Sequence, residues 1–328
     1  MSFIRYTAAF ACAGLLGLAA LTGAQAQAPA PSWPTRSVKL IVPFAPGAGA
    51  DIGARLAADV LSRKWGQSVI VENRPGGDSL IALRAVIGDN DDHQFLFTPT
   101  GNFTPHPFRH EKLGYVRERD LLPIARFSNT VLAIGVSESL GVKSLQEFIA
   151  LARAKPNELN VMTVPGITEL VWDGFTKTLD LKIQKVNFTN LGQGAGEMAT
   201  GRIQAVMAAY AVMQPVVQGK GARVIAVNGR TRAPAIPDVP TAIEQGVPSL
   251  QLEGLVGMFA PRSVSAQLRK RIGDEVADVA RMPEIAARLV ASGQVPNPGG
   301  AEEFAADIAA QEKQVAEIAK LIGLSRKN

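Results

Sequence analysis

The residues best placed to do chemistry are in the run Pro43-Phe44-Ala45-Pro46-Gly47-Ala48-Gly49-Ala50-Asp51, between a short apolar segment and a helical pattern. Gly47 and Gly49 let the backbone turn tightly and expose consecutive N–H groups. Feeding a helix N-terminus, such a turn is a ready seat for an anion, because unpaired first-turn amides and the helix dipole both favour negative charge. A carboxylate can sit there without any arginine. An ordinary strand-to-helix turn is the competing reading of the same residues. Two roles are open to Asp51: a cap for the helix, with Arg55 as its i, i+4 partner, or an acceptor for a ligand hydroxyl or amine.

Other chemistries fit less well. The third glycine of a dinucleotide-binding fingerprint would fall at Ile52, and Gly53 is one residue late. The histidines are His93, His106 and His110, and none lies in a Gly-x-Ser-x-Gly elbow or a His-Glu-x-x-His helix. His106, after Pro105, reads as structural, and His93 and His110 as loop residues beside charges. Asp89, Asp91, Asp92 and His93 lack the spacing of a calcium loop and read as a solvated turn. No catalytic residue, metal site or cofactor is expected; a secreted hydrolase on an α/β scaffold is the enzymatic alternative.

The elements that must position the loop alternate along the chain. Strand candidates fall at 38–42, 69–71, 95–97, 131–136, 160–162, 185–188, 205–209, 223–227 and 255–259. Interleaved helical patterns imply βαβ units and largely parallel sheets. In the first helix Ile52, Leu56 and Val60 recur at i+4, as do Ala57, Leu61 and Trp65, before Gly66 ends it. Closing helices are expected at 265–282 and 301–322, the second with Phe304, Ile308, Val315, Ile318 and Ile322 as its buried stripe and Gly323 as its stop.

Residues 1–26 combine Arg5, an uncharged apolar run and Ala24-Gln25-Ala26, the pattern of a secretory signal peptide. The run is short for a membrane anchor. Cleavage after Ala26 would remove Cys12, the single cysteine, and with it disulfide, zinc-thiolate and thiol chemistry. The 34 basic residues exceed the 29 acidic ones without forming a block, which suits an anionic ligand and offers no nucleic-acid stripe. With 328 residues, 47% of them hydrophobic, two domains are expected.

Several motifs occur in a specific order: Trp33-Pro34-Thr35-Arg36, Val42-Pro43-Phe44-Ala45-Pro46-Gly47, Asp51 to Arg55, Val71-Glu72-Asn73-Arg74-Pro75-Gly76, Lys112-Leu113-Gly114-Tyr115 and Gly201-Arg202-Ile203. They continue with Arg232, Pro237-Asp238-Val239-Pro240-Thr241, Glu244-x-Gly246-x-Pro248 and Gly257-x-x-Ala260-Pro261. Over nearly the whole chain after residue 32 this resembles the Bug/TctC family, extracytoplasmic receptors of tripartite tricarboxylate transporters. The resemblance implies a two-lobed α/β fold of periplasmic-binding-protein type (Venus flytrap, type II), with mixed, mostly parallel sheets flanked by helices. After the signal peptide (1–26) and a linker (27–32), lobe 1 would hold 33–124 and 254–328, and lobe 2 would hold 125–253.

It further implies a periplasmic monomer that binds a small carboxylate such as a dicarboxylate or aromatic acid and delivers it to membrane permease subunits. Presentation to a membrane sensor kinase is the alternative partner, and nucleic acid is not expected. Ligand contacts carried over from the family are Phe44, Ala48, Gly49, Ala50 and Asp51, then Thr100, Gly101 and Asn102 from lobe 1. Lobe 2 would supply Gly166, Ile167 and Thr168 in the loop from Val164, then Phe188, Thr189, Asn190 and Tyr210. The chain departs from the family pattern at Ala48 (a glycine is usual), Gly77-Asp78-Ser79 (a run of small residues), Glu169 (often His) and Met207-Ala208 (Phe-Asp). These departures leave the particular acid open.

Overall fold

Alternation of apolar runs and helical stretches yields two mixed sheets, each flanked by helices. The computed structural model describes residues 33–327 other than 164, 189 and 190. The expected signal segment and linker, and the expected contacts Thr189 and Asn190, lie outside the described residues. The chain opens with β1 (Val38–Val42), α1 (Gly49–Trp65), β2 (Val69–Asn73), α2 (Leu80–Asp89), β3 (Gln94–Pro99), the short α3 (His106–Arg109) and α4 (Arg117–Asp120), and β4 (Leu122–Thr130). It continues with β5 (Leu132–Ser137), α5 (Leu145–Ala154), β6 (Asn160–Thr163), α6 (Ile167–Thr178), β7 (Gln184–Asn187), α7 (Leu191–Ala199), β8 (Ala205–Ala209), α8 (Tyr210–Gln218) and β9 (Ala222–Val227). The last stretch holds β10 (Gly254–Ala260), α9 (Ala266–Arg281), α10 (Pro283–Ala291), β11 (Gln294–Gly299) and α11 (Ala301–Leu321). No helix among the described residues is long and apolar enough to cross a membrane.

The first sheet has the order β11-β4-β10-β3-β1-β2 and the second β7-β6-β8-β5-β9. Parallel ladders join β1 to β2 and β3, and β6 to β7 and β8, as helix-linked strands require. The strands nearest the passages between sheets pair antiparallel: β10 with β3 and β4, β11 with β4, and β5 with β8 and β9. Position 124, where the chain was expected to leave lobe 1, falls inside β4. Val131 lies between β4 of the first sheet and β5 of the second.

Two strands were not anticipated. β4 carries Arg126 and Asn129 among its apolar residues, because its guanidinium is drawn inward by Asp307 and by the carbonyl of Asn297 at 2.9 Å. β11 contains Pro296 and Pro298 and sits at the sheet edge, where a missing N–H leaves no ladder bond unmade. In α1 the buried face is Ala50, Gly53, Ala54, Ala57 and Leu61, with Leu56 and Trp65 beside it, whereas Ile52 and Val60 are only partly covered. Small residues here bring the helix close to the sheet: a methyl on Gly53 would lie 3.5 Å from the Phe97 ring.

Helix α11 joins both halves. Its early residues Phe304 and Ile308 pack in the core of the first sheet with Leu96, Leu255 and Phe259. Its later residues Val315 and Ala319 belong to the core that holds Trp172 and Phe175 of α6, and Ile318 and Ile322 flank that core. Gln311, between these two apolar groups and 5% exposed, accepts from the Thr100 and Thr104 hydroxyls at 2.6 and 3.3 Å and donates to the Glu253 carbonyl at 3.0 Å.

Candidate functional site

A cleft of about 310 Å³ lies where the carboxyl ends of β1 and β3 face those of β6 and β8. Ligands of open α/β sheets bind at such strand ends, since the following loops lead into helix N-termini. Four such junctions open here: the first turn of α1, the single turn Thr100–Asn102, the first turn of α6 and the first turn of α8. Thr130 and Leu132 beside the first passage, with Glu253 and Gly254 at the return, form its back wall.

The α1 junction is organised from behind by Asp51. Its Oδ2 accepts the Gly47 amide at 2.8 Å and the Arg55 Nε at 3.0 Å, and its Oδ1 accepts from Asn73 at 2.8 Å. Asn73 also donates to the Phe44 carbonyl at 2.9 Å, so one buried carboxylate and one amide hold both ends of the loop. Burial alone would raise the Asp51 pKa; hydrogen bonds from Arg55, Asn73 and Gly47 outweigh it and hold the carboxyl below its ordinary range. Gln294 braces the other side, donating to the Gly49 carbonyl at 2.8 Å while accepting from the Ser128 hydroxyl at 2.7 Å. As residues of the first turn of α1, Gly49 and Ala50 have amides with no acceptor in their own helix.

Most of the expected contacts reach the cleft: Phe44, Ala48, Gly49, Ala50, Gly101, Asn102, Gly166, Ile167 and Thr168 line it. Four do not. Asp51 is 1% exposed and turned behind the loop. The Thr100 hydroxyl points into the core toward Gln311. Phe188 packs on the core of the second sheet. Tyr210 is buried in that core with its amide on the Val131 carbonyl at 2.8 Å, and its neighbours Ala211 and Val212 take the wall instead. Ala208, where an acid was expected, is on the wall. Residues not anticipated include Asp78, Glu253, Gly293 and Gln294. Gln294 had no local signal because its strand reads as a proline-rich loop, while Asp78 stood out only as a bulky departure from a small-residue turn.

Among the described residues, no Lys, Arg or His side chain lines the cleft, and its ionisable groups are Asp78 and Glu253. Charge lies just outside. The Arg109 guanidinium donates to Glu169 Oε2 at 3.0 Å, joining α3 to α6, and Lys185 donates to Asp173 at 2.8 Å and lies 3.3 Å from Glu169. Burial opposes the Lys185 charge, yet Asp173 and Glu169 raise its pKa overall. His106 is fully buried, its Nδ1 with the Tyr115 hydroxyl at 2.9 Å and its Nε2 with the Asp78 carbonyl at 3.0 Å; burial pushes its pKa down to about 4. Its structural role is therefore evident. His93 is buried too, in the turn before β3 and against Asp92 at 2.6 Å, a loop residue beside a charge as the sequence suggests.

Known proteins share this architecture. A solved structure of an R. palustris protein with adipate superposes with a TM-score of 0.78 at 26% identity, covering 89% of this chain and 99% of its own. MatC from Rhodopseudomonas palustris, with bound malate, has a TM-score of 0.74 at 22% identity, with 88% and 100% covered, and supports the fold alone. A UPF0065 protein of Bordetella bronchiseptica is 26% identical over 283 residues, 85% of this chain and 83% of its own. A UPF0065 protein of Cupriavidus necator is 26% identical over 320 residues, 96% of each chain. The family model described as "Tripartite tricarboxylate transporter family receptor" matches residues 53–324. With its cleft between two mixed sheets and that match across most of its length, the chain belongs to the TctC family of tripartite tricarboxylate transporter receptors.

Proposed function

We propose that this receptor captures a small carboxylate in the cleft between its two sheets, in the periplasm, and hands it unchanged to the membrane subunits of a tripartite transporter. One observation carries the reading: a cleft lined, among the described residues, by no cationic side chain receives the first turns of α1, α6 and α8 from both sheets. Helix N-termini attract anions through unpaired amides and the aligned peptide dipoles. The adipate held by a protein of the same fold supports this assignment of ligand class. The lobes are taken as 36–130 with 254–300, and 131–253, α11 spanning both. Binding acts without catalysis, since closure alone fulfils the task when both lobes contact one anion.

A thermal-shift screen against mono-, di- and tricarboxylates and aromatic acids tests the reading, because a ligand selective for the folded state raises its stability. At least one carboxylate should raise the melting temperature and be recovered intact. A screen in which neutral sugars or cations shift the protein and no carboxylate does would overturn it.

A further inference from the structure

The turn before α2 is held in a conformation side chains avoid. Gly76, Gly77, Asp78 and Ser79 have consecutive positive φ values of 108°, 59°, 53° and 67°. Glycine adopts these freely; aspartate and serine do so only where surrounding contacts impose it. Those contacts are visible: the Asp78 carbonyl meets His106 Nε2 at 3.0 Å, and its Oδ2 meets His110 Nε2 at 2.8 Å and Arg109 Nε at 3.5 Å. The result places an acidic residue on the wall of the cleft, where its side chain keeps 25% of its surface open.

The two acids of the cleft are not equivalent. Glu253 has both oxygens engaged, Oε1 by the Arg230 amide at 2.9 Å and Oε2 by Asn129 at 2.7 Å. Asp78 Oδ1 has no partner among the described residues. A carboxylate oxygen can only accept, so a ligand group beside it must donate. An ammonium there forms a charge-assisted hydrogen bond and a hydroxyl a weaker one. A second ligand carboxylate would set anion against anion at Oδ1, since Arg109 and His110 contact Oδ2 and no Lys, Arg or His among the described residues lines the wall.

We propose that Asp78 is a specificity-determining residue that reads a donor on the ligand, so that the receptor selects amino- or hydroxy-carboxylates and discriminates against dicarboxylates. This deepens the carboxylate reading above and rests on it: the helix N-termini seat the carboxylate, and Asp78 selects among molecules that carry one.

The test uses calorimetry on the full protein with unbranched monocarboxylates of two to six carbons and their amino-, hydroxy- and dicarboxylate counterparts. Wild type should bind the best amino or hydroxy acid about tenfold or more tighter than its unsubstituted parent, with the dicarboxylate weakest. Asp78→Asn and Asp78→Gly should both erase the preference for the amino or hydroxy acid over its unsubstituted parent, whatever the absolute affinity of each variant. Gly suits the backbone at this position, and circular dichroism with a melting curve verifies folding of each variant. The Asp78 role is overturned if both folded variants keep the wild-type preference, or if wild type binds the dicarboxylate tightest. Carboxylates that bind with an unaltered ranking refute Asp78 alone, whereas a wild type that binds none of the acids refutes the carboxylate reading together with it.

Discussion

Arg109 at the end of α3 donates through a terminal guanidinium nitrogen to Glu169 Oε2 in the first turn of α6, 3.0 Å away, and so ties the rim of one half of the cleft to the other. The side chains are 28% and 15% exposed, so the pair is screened only in part. Glu169→Gln should weaken ligand binding about fivefold, corresponding to about 1 kcal/mol. Titration calorimetry at low and high salt checks this: the difference between wild type and variant should shrink as salt rises.

Gly101 and Ile167 approach each other closely across the cleft. A methyl on Gly101 would fall 2.5 Å from Ile167 Cγ2, a separation that real contacts do not show. Gly101→Val should therefore prop the cleft open and lower affinity by more than about tenfold. Small-angle scattering with saturating ligand should show a more extended variant, and a further Ile167→Ala change should restore compaction.

Asp51 holds the α1 junction from behind, and its removal acts on stability and binding together. Asp51→Ala removes the acceptor of the Gly47 amide and one of the two acceptors of the Asn73 side-chain amide, at a cost of about 1–3 kcal/mol in urea unfolding. Affinity should fall as the turn loosens. Asp51→Asn, retaining one acceptor oxygen, should lie between wild type and Ala.

His106 makes stability depend on pH. Its folded pKa is near 4 against an ordinary 6.5, so the unfolded chain takes up a proton more readily. The contribution of the neutral, buried imidazole is present in full above pH 6.5 and is lost as pH falls toward 4, by on the order of 3 kcal/mol in total. Unfolding free energies measured between pH 7 and pH 4 should decline for wild type, and His106→Asn should flatten the decline by about that amount.

Much of this arrangement was legible in the sequence. Strand, turn and helix follow one another from Val38 to Trp65 with local signals for each, so the α1 junction and its opposite number at Gly166 could be placed as facing loops. What local pattern could not carry was direction. Asp51, Thr100 and Tyr210 stand at cleft junctions, yet their side chains are claimed by Asn73, Gln311 and the second-sheet core, all distant in sequence. Gln294 was hidden because an edge strand with two prolines looks like a loop until its partner β4 is known. Gln311 broke the apolar stripe of α11 for a reason found only in Thr100, Thr104 and Glu253.

The central claim is that backbone amides at the start of α1 hold a ligand carboxylate, and Ala48→Glu tests it most directly. Ala48 is partly open on the cleft wall with φ of −66°, which glutamate adopts without strain, so the variant should fold and melt as wild type does. Calorimetric titration with the carboxylate that gives the largest thermal shift should show binding to wild type and a loss of about a hundredfold or more in the variant, as like charge meets like charge in the cleft. Equal affinity in the two proteins would contradict the account.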